Sequence, residues 1–193
     1  MKIMLIAITI LAIAVSGCSS ILSKTTGDGA VGANSSKRSF GRQIDDQLIE
    51  TYVKTNIKKD EGLKGSNIGV VSYNGIVLLI GQVKSEHARS LAEDKAKIVR
   101  NVRRVHNELE VSGPISFPAR TNDLWLKTKI KTSMLTTEGL NPLRIKAVVE
   151  DGAVYLMGLV SNEEADSAVE LARKTYGIQK IVKVFEYTNP PQT

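Results

Sequence analysis

Cysteine occurs once in the 193 residues, so no intramolecular disulfide can form and stability has to come from packed cores. Histidine occurs twice, and His87 and His106 have neither a cysteine partner nor metal-ligand spacing between them. His87 falls in the opening turns of a predicted helix, and His106 on a strand face opposite Val105 and Asn107. Both read as surface residues. Without a nucleophile, base or metal set the chain reads as non-enzymatic, with no cofactor and no metal. Also missing is length in the N-terminal apolar stretch. Ile3 to Val15 is 13 residues, well short of the roughly 20 needed to span a bilayer but right for the apolar core of a secretory signal. Acidic residues are in the minority, 20 against 26 Lys and Arg, giving a formal charge of +6.

What is present starts with that signal. Ser16 and Gly17 directly ahead of Cys18 resemble the bacterial lipobox, with Val15 where Leu is commoner. The resemblance implies that residues 1–17 are a cleaved signal peptide. It also implies that Cys18 receives a diacylglyceryl group and an N-terminal acyl chain of the palmitate class. Several acyl chains anchor stably where one does not. Ser19, in place of the Asp that holds such proteins at the inner membrane, implies an outer-membrane, periplasm-facing location. Cleavage removes Lys2 alone, lowering the charge to +5. A basic chain ordinarily raises nucleic acid as a partner. Export excludes it and leaves anionic phospholipid headgroups, lipopolysaccharide or acidic proteins. Residues 18–43 read as a lipidated N-terminus and flexible tether, rich in Ser, Gly, Thr and Ala, with a root-mean-square span of roughly 25–30 Å. The Gly27, Asp28, Gly29 run neither follows a strand nor opens a helix, and belongs to that tether.

The rest of the chain is one unit written twice. Asn74-Gly75 and Asp151-Gly152 are hairpin-turn dipeptides 77 residues apart, each followed by a β-forming run, Ile76 to Val83 and Ala153 to Val160. Val77, Leu79, Gly81 and Val83 match Val154, Leu156, Gly158 and Val160. After Lys84, an extra residue, the offset is 76: Ser85 pairs with Ser161, Ala92 with Ala168, Ala96 with Ala172, Val105 with Ile181 and Leu109 with Phe185. Each unit predicts helix, strand, strand, helix, strand. The fold class is α+β: two tandem αββαβ domains, each a small mixed three-stranded sheet with two helices on one face. The domains are residues 44–112 and 120–188, joined by a linker, 113–119, with Pro114 and Pro118, and followed by a tail, 189–193. Gly81 and Gly158 are expected to let a helix approach the strand closely.

This doubled pattern resembles the BON domain, and the arrangement resembles the dual-BON-domain outer-membrane lipoproteins. The resemblance rests on the two turn dipeptides, the strands ending in Gly81 and Gly158, and the run Val102, Val105, Asn107, Leu109. Lys183 stands where the first unit has Asn107. The resemblance implies a non-enzymatic protein that supports envelope integrity and binds phospholipid, with an outer-membrane protein assembly machine as a candidate partner.

Several motifs have a plain reading. Asp45 with Asp46, and Glu163 with Glu164, sit near helix beginnings and read as caps. Gly62, Leu63, Lys64 and Gly65 spell a GxxG, but the second unit has Gly139, Leu140, Asn141 and Pro142, so a turn is favoured over a nucleic-acid clamp. The informative asymmetry lies in the first helix of each unit. The core stripe Ile49, Val53, Ile57 becomes Leu126, Ile130, Met134. Leu124, Trp125, Thr128, Thr132 and Leu135 gather on another face, flanked by Lys127, Lys129 and Lys131. Leu48 and Tyr52 stand where Trp125 and Lys129 do. These eight residues are the predicted lipid-binding site, since Trp and Lys suit a headgroup boundary. Alternatively, Trp125 packs against the first domain or the linker. A last feature is the apolar back of each central strand, Ile76, Leu78, Ile80 and Tyr155, Met157, Leu159. Either the domains cover each other's sheets or a partner protein does. Two functions follow. One is a lipid-anchored periplasmic protein that binds anionic phospholipid of the outer membrane through the first helix of the second domain. The other is an interaction module docking on an outer-membrane assembly complex, with membrane contact only through Cys18.

Overall fold

Two-residue loops set the frame of both repeats. Asn74 and Gly75 take φ values of 53° and 75°, and Asp151 and Gly152 take 46° and 72°. Positive φ at both central positions is the turn whose twist matches a hairpin, which is why Asn-Gly and Asp-Gly occupy it. The computed structural model describes residues 40–113 and 116–188. The signal peptide, Cys18, the tether up to Ser39, Pro114 and the tail lie outside the described residues.

The first repeat runs α1 (Phe40–Lys59), β1 (Asn67–Tyr73), β2 (Ile76–Val83), α2 (Glu86–Lys97) and β3 (Arg104–Val111); the second runs α3 (Phe117–Thr136), β4 (Ile145–Glu150), β5 (Ala153–Val160), α4 (Asn162–Arg173) and β6 (Lys180–Tyr187). Each sheet has its hairpin antiparallel and its last strand parallel, with β2 or β5 in the centre. The α+β expectation holds, with the two helices of each repeat on one face. Ser85 and Ser161 cap α2 and α4, and Ser161 with Glu164 completes a reciprocal capping box. Helix α3 is capped by Ser116, whose hydroxyl accepts from Ala119 N–H, and takes Pro118 into its first turn. A proline there loses no hydrogen bond, so the residue read as linker is helical. Helix α1 likewise starts at Phe40, inside the stretch read as tether.

Alternation along the central strands divides the apolar residues between two cores. Val77, Leu79 and Val83 face α1 and α2 with Ile49, Val53, Ala88, Ala92 and Ala96. Val154, Leu156 and Val160 face α3 and α4 with Leu126, Ile130, Met134, Ala165, Ala168 and Ala172. The alanines let the second helix of each repeat lie close on the sheet. The other faces meet each other: Tyr73, Ile76, Leu78 and Ile80 pack with Val148, Ala153, Tyr155, Met157 and Val184 in a third core. The result is a four-layer sandwich, helices, sheet, sheet, helices. Of the two coverings open at the sequence level, the domains cover each other.

Polar contacts rim this middle core. Arg103 forks onto Glu186 at 2.7 and 3.1 Å, Asn74 Nδ2 donates to the same carboxylate, Lys146 reaches Glu50 at 3.0 Å, Gln82 reaches Glu150 at 3.1 Å, and Tyr73 Oη donates to Arg144 O. Exposed ion pairs contribute about 0–1 kcal/mol each. A fully buried Leu or Met such as Leu78 or Met157 contributes about 1.5–3 kcal/mol. The apolar cluster therefore holds the repeats together and the rim fixes their register. Burial, with Glu108 and Glu110 nearby, pushes the Tyr155 hydroxyl up to about 12 and keeps it neutral.

Two sequence readings need correction. Asp46 does not cap its own helix. It sits 2% exposed within α1, and its carboxylate accepts from Ser72 Oγ (2.7 Å), Asn74 N–H (2.8 Å) and Gly75 N–H (2.8 Å), clamping the hairpin turn to the helix. Asp123 repeats the clamp on Asp151 and Gly152 N–H at 2.7 and 2.8 Å. Nor do Gly81 and Gly158 admit a helix. A side chain on Gly81 would strike Asn67 O, and one on Gly158 would lie 2.6 Å from Arg144 O. The glycines make room for the backbone leading into the neighbouring strand.

Replacing Asp123 by Ala leaves the buried Gly152 N–H and the partly buried Asp151 N–H without an acceptor, and should cost about 1–3 kcal/mol in urea unfolding; a loss under 0.5 kcal/mol would show that the turn holds itself. A second expectation concerns acid. Burial raises the Glu50 carboxyl, but Ser72 N–H and the Lys146 and Lys54 ammonium groups outweigh it and hold the carboxyl below its ordinary 4.5. A carboxylate held down in the folded state stabilises fully above that value and loses its contribution as pH falls through the folded one. Glu50→Gln should thus lower Tm at neutral pH and fall less steeply than the wild type below pH 4.5. Parallel curves would remove Glu50 from the acid transition.

Candidate functional site

Helix α3 has its two sides assigned by the core. Asp123, Leu126, Ile130 and Met134 are buried, and the intervening residues point outward from the sandwich. All eight residues expected at the site are exposed: Leu124, Trp125, Lys127, Thr128, Lys129, Lys131, Thr132 and Leu135. Leu124, Trp125 and Leu135 keep 65%, 51% and 70% of their surface in solvent, so Trp125 is neither a core residue nor an interdomain one. Lys129 Nζ lies 4.8 Å over the Trp125 ring, a cation–π contact that holds the ammonium at the edge of the apolar strip. Thr128 Oγ1 donates back to Leu124 O at 2.9 Å, which satisfies its hydroxyl within the helix. The strip carries no acidic group between Leu124 and Leu135.

A further aromatic residue joins this end of the molecule. Tyr176, in the turn after α4, is 86% exposed, and its neighbour Gly177 packs so closely on α3 that a side chain there would come within 3.3 Å of Leu126 Cδ2. Sequence reasoning passed over it because it lies on no helix. The available signal was the repeat, in which Tyr176 replaces Arg100.

The first domain also carries apolar surface on its outer helix. Ile44, Leu48 and Tyr52 form an exposed stripe at four-residue spacing along α1, and Thr51 and Thr55 bond back to the backbone beside them. What separates the two helices is charge and aromatic size, not the presence of apolar surface. Since α1 and α3 belong to opposite outer layers, the two stripes face away from each other.

His87 is exposed on α2, whereas His106 is half-buried on the side of β3 that faces the second sheet, where burial and Arg104 push its imidazole below 6.5. His106 is therefore an interface-edge residue, not a surface one. Gly62 lies inside a single turn of tight helix, Glu61–Leu63, capped by Asp60, and Gly65 takes a positive φ just after it. Asn107 bridges β3 to α2 through Arg89 O and Glu93, a fastening the second repeat lacks at Lys183.

Residues 45–113 and 122–189 each match the BON domain family. The chain is 40% identical over 164 residues to the Outer membrane lipoprotein DolP of Haemophilus influenzae, covering 83% of this chain and 85% of that protein. It is 37% identical over 151 residues to the 21 kDa hemolysin of Actinobacillus pleuropneumoniae, 78% of each, and 26% identical over 151 residues to Osmotically-inducible protein Y of Escherichia coli, 77% of this chain and 75% of that protein. Doubled BON domains, in register with a relative of this kind over most of both lengths, settle the assignment: the chain belongs to the BON-domain family, as a dual-domain outer-membrane lipoprotein.

Proposed function

We propose that the second domain lies on anionic phospholipid of the outer membrane through the outer face of α3, with the protein non-enzymatic and anchored by an acylated Cys18. The observation that carries the reading is the exposed strip of Leu124, Trp125 and Leu135 bordered by Lys127, Lys129 and Lys131. An indole half in solvent, beside lysines whose stems reach along an apolar layer, is suited to a headgroup boundary. Tyr176 extends the same contact. Binding of this kind places the lipoprotein at anionic regions of the membrane and so supports envelope integrity.

A second reading, docking on an outer-membrane assembly complex, is favoured by one observation. The stripe Ile44, Leu48, Tyr52 lies on the layer opposite α3, so a protein resting on α3 presents it to the periplasm. The sheet backs, the other surface open to a partner at the sequence level, are occupied by each other.

With acyl chains removed by Cys18→Ser, Trp125→Glu should abolish binding to anionic vesicles without unfolding the protein, because the core stripe beneath is untouched. Lys127, Lys129 and Lys131 changed together to Gln should weaken binding by about 1 kcal/mol per lysine, and the loss should shrink as salt rises. Leu48→Glu is the matched control. A folded Trp125→Glu protein that binds like wild type refutes the lipid reading, and loss of binding with Leu48→Glu moves the contact to α1.

Anchoring has its own test. Cys18→Ala should leave the protein without acyl mass and largely absent from the salt-washed outer-membrane fraction; full retention there would dispose of Cys18 as the anchor.

A further inference from the structure

The outer layers of the two repeats both carry apolar surface, but its charged surroundings are opposite in sign. On the first repeat, Ile44, Leu48 and Tyr52 line up along α1, and Ile98, 72% exposed, directly follows α2. Asn56 Nδ2 donates to Lys95 O at 3.4 Å and the Lys95 ammonium pairs with Asp60 at 2.8 Å, which ties α2 against α1. The counterparts of Tyr52 and Ile98 in the second repeat, Lys129 and Lys174, line one groove between α3 and α4. Tyr52 and Ile98 therefore stand at the same seam, and the apolar patch spans both helices. Asp45 adjoins Ile44 and Asp94 lies one turn before Ile98; both are exposed, and neither is held in an ion pair among the described residues. Of the lysines on α1, Lys54 is paired with Glu50, and Lys58 and Lys59 are confined to the last turn.

The second repeat offers the complement. Leu124, Trp125 and Leu135 are exposed along α3 with Lys127, Lys129 and Lys131 among them, and no ion pair engages those lysines among the described residues. Asn122 and Lys129 stand where the first repeat has Asp45 and Tyr52, and Glu170, the counterpart of Asp94, is neutralised by Arg173. Divergence has left carboxylates on one face and ammonium groups on the other. Since the two faces belong to opposite outer layers, one molecule cannot close them on itself, but a second copy can reach either. Contact between unlike faces is heterologous, and repeated in one direction it builds a row instead of a closed pair. An apolar middle with opposite charges at the rim fixes register between two protein surfaces. Both surfaces are small, so the contact is transient in free solution. Copies anchored to one membrane meet at a far higher effective concentration. Residues 19–39 reach about 70 Å at full extension, and every copy of a row lying along the membrane stays within its own tether.

Resting on the readings that α1 is a docking face and α3 a membrane face, we propose that the α1–α2 patch of one copy receives the α3 strip of a second copy. The head-to-tail row so formed competes with anionic lipid for that strip. Sedimentation of the unacylated Cys18→Ser chain at rising concentration tests it: the average mass should climb past that of a dimer without a plateau, up to the millimolar range. Leu48→Lys and Trp125→Glu, each introduced into that chain, should sediment as monomers, because each puts a like charge into one face. Mixed in equal amounts they should form a one-to-one dimer, since the first keeps its α3 strip and the second its α1 patch. Tyr52→Lys, the second repeat's residue at that place, stands in if Leu48→Lys fails to fold, and Leu124→Glu does so for Trp125→Glu. A chain that stays monomeric through that range, association that persists in either folded variant, or a mixture that remains monomeric overturns the row. With phosphatidylglycerol vesicles added, the Leu48→Lys chain should leave the mixed dimer for the lipid and strand its Trp125→Glu partner in solution. Co-flotation of both overturns the competition, by showing that lipid and copy use different faces. The readings fail separately: Trp125→Glu floating by itself removes the membrane face, whereas a monomeric mixture removes only the row.

Discussion

Leu78 and Met157, each without accessible surface, meet between two sheets that turn their backs to one another. Every other arrangement in the molecule follows from that contact. It leaves each sheet one remaining face, which its own helices cover, and so drives all four helices to the outside. It also fixes what the outside can offer. With the sheet backs consumed, the apolar stripes on α1 and α3 stay on the outer layers, held on opposite sides by a core that cannot hinge without exposing Ile76, Ile80 and Tyr155.

Against that frame the two halves have diverged at their rims while keeping their interiors. The buried positions of α1 and α3 exchange one aliphatic residue for another, and the aspartate that grips the hairpin turn stands at the same point in both. Outside, the first repeat spends its polar side chains on internal fastenings: Asn56 and Asp60 to Lys95, and Asn107 to Arg89 and Glu93. The second repeat has lost those fastenings and gained lysines, hydroxyls and an indole in their place. One copy ties its outer side chains to itself, and the other leaves them exposed.

Much of this was legible in the residues. The dipeptides Asn74-Gly75 and Asp151-Gly152 located both hairpins because only certain residues accept positive φ, and Ser85 and Ser161 marked helix starts because a hydroxyl is needed there. The outward face of α3 followed from helical period alone. The failures share a cause, which is that local pattern does not report on long-range partners. Asp46 looked like a cap because carboxylates near helix starts usually are, and its true partners lie 26 to 29 residues away. Its recurrence as Asp123, at the offset of the turns themselves, was the overlooked signal. Gly81 was assigned a helix neighbour when the crowding comes from the adjoining strand. The back faces could be seen to need a cover, but period two says nothing about which surface supplies it. Tyr176 stayed hidden because it stands in a turn, outside any helical or strand period.

The middle core also has a temporal side. A chain made from its N-terminus completes the first repeat at Val111 while the second is still unmade, and the back of that first sheet, with Tyr73, Ile76, Leu78 and Ile80, has nothing to lie against until β4, β5 and β6 exist. For that interval the half-finished protein exposes a broad apolar sheet, the kind of surface that pairs with whatever is nearest. The addition of the second half is what covers that sheet, so in this design the two repeats complete each other rather than fold as independent beads.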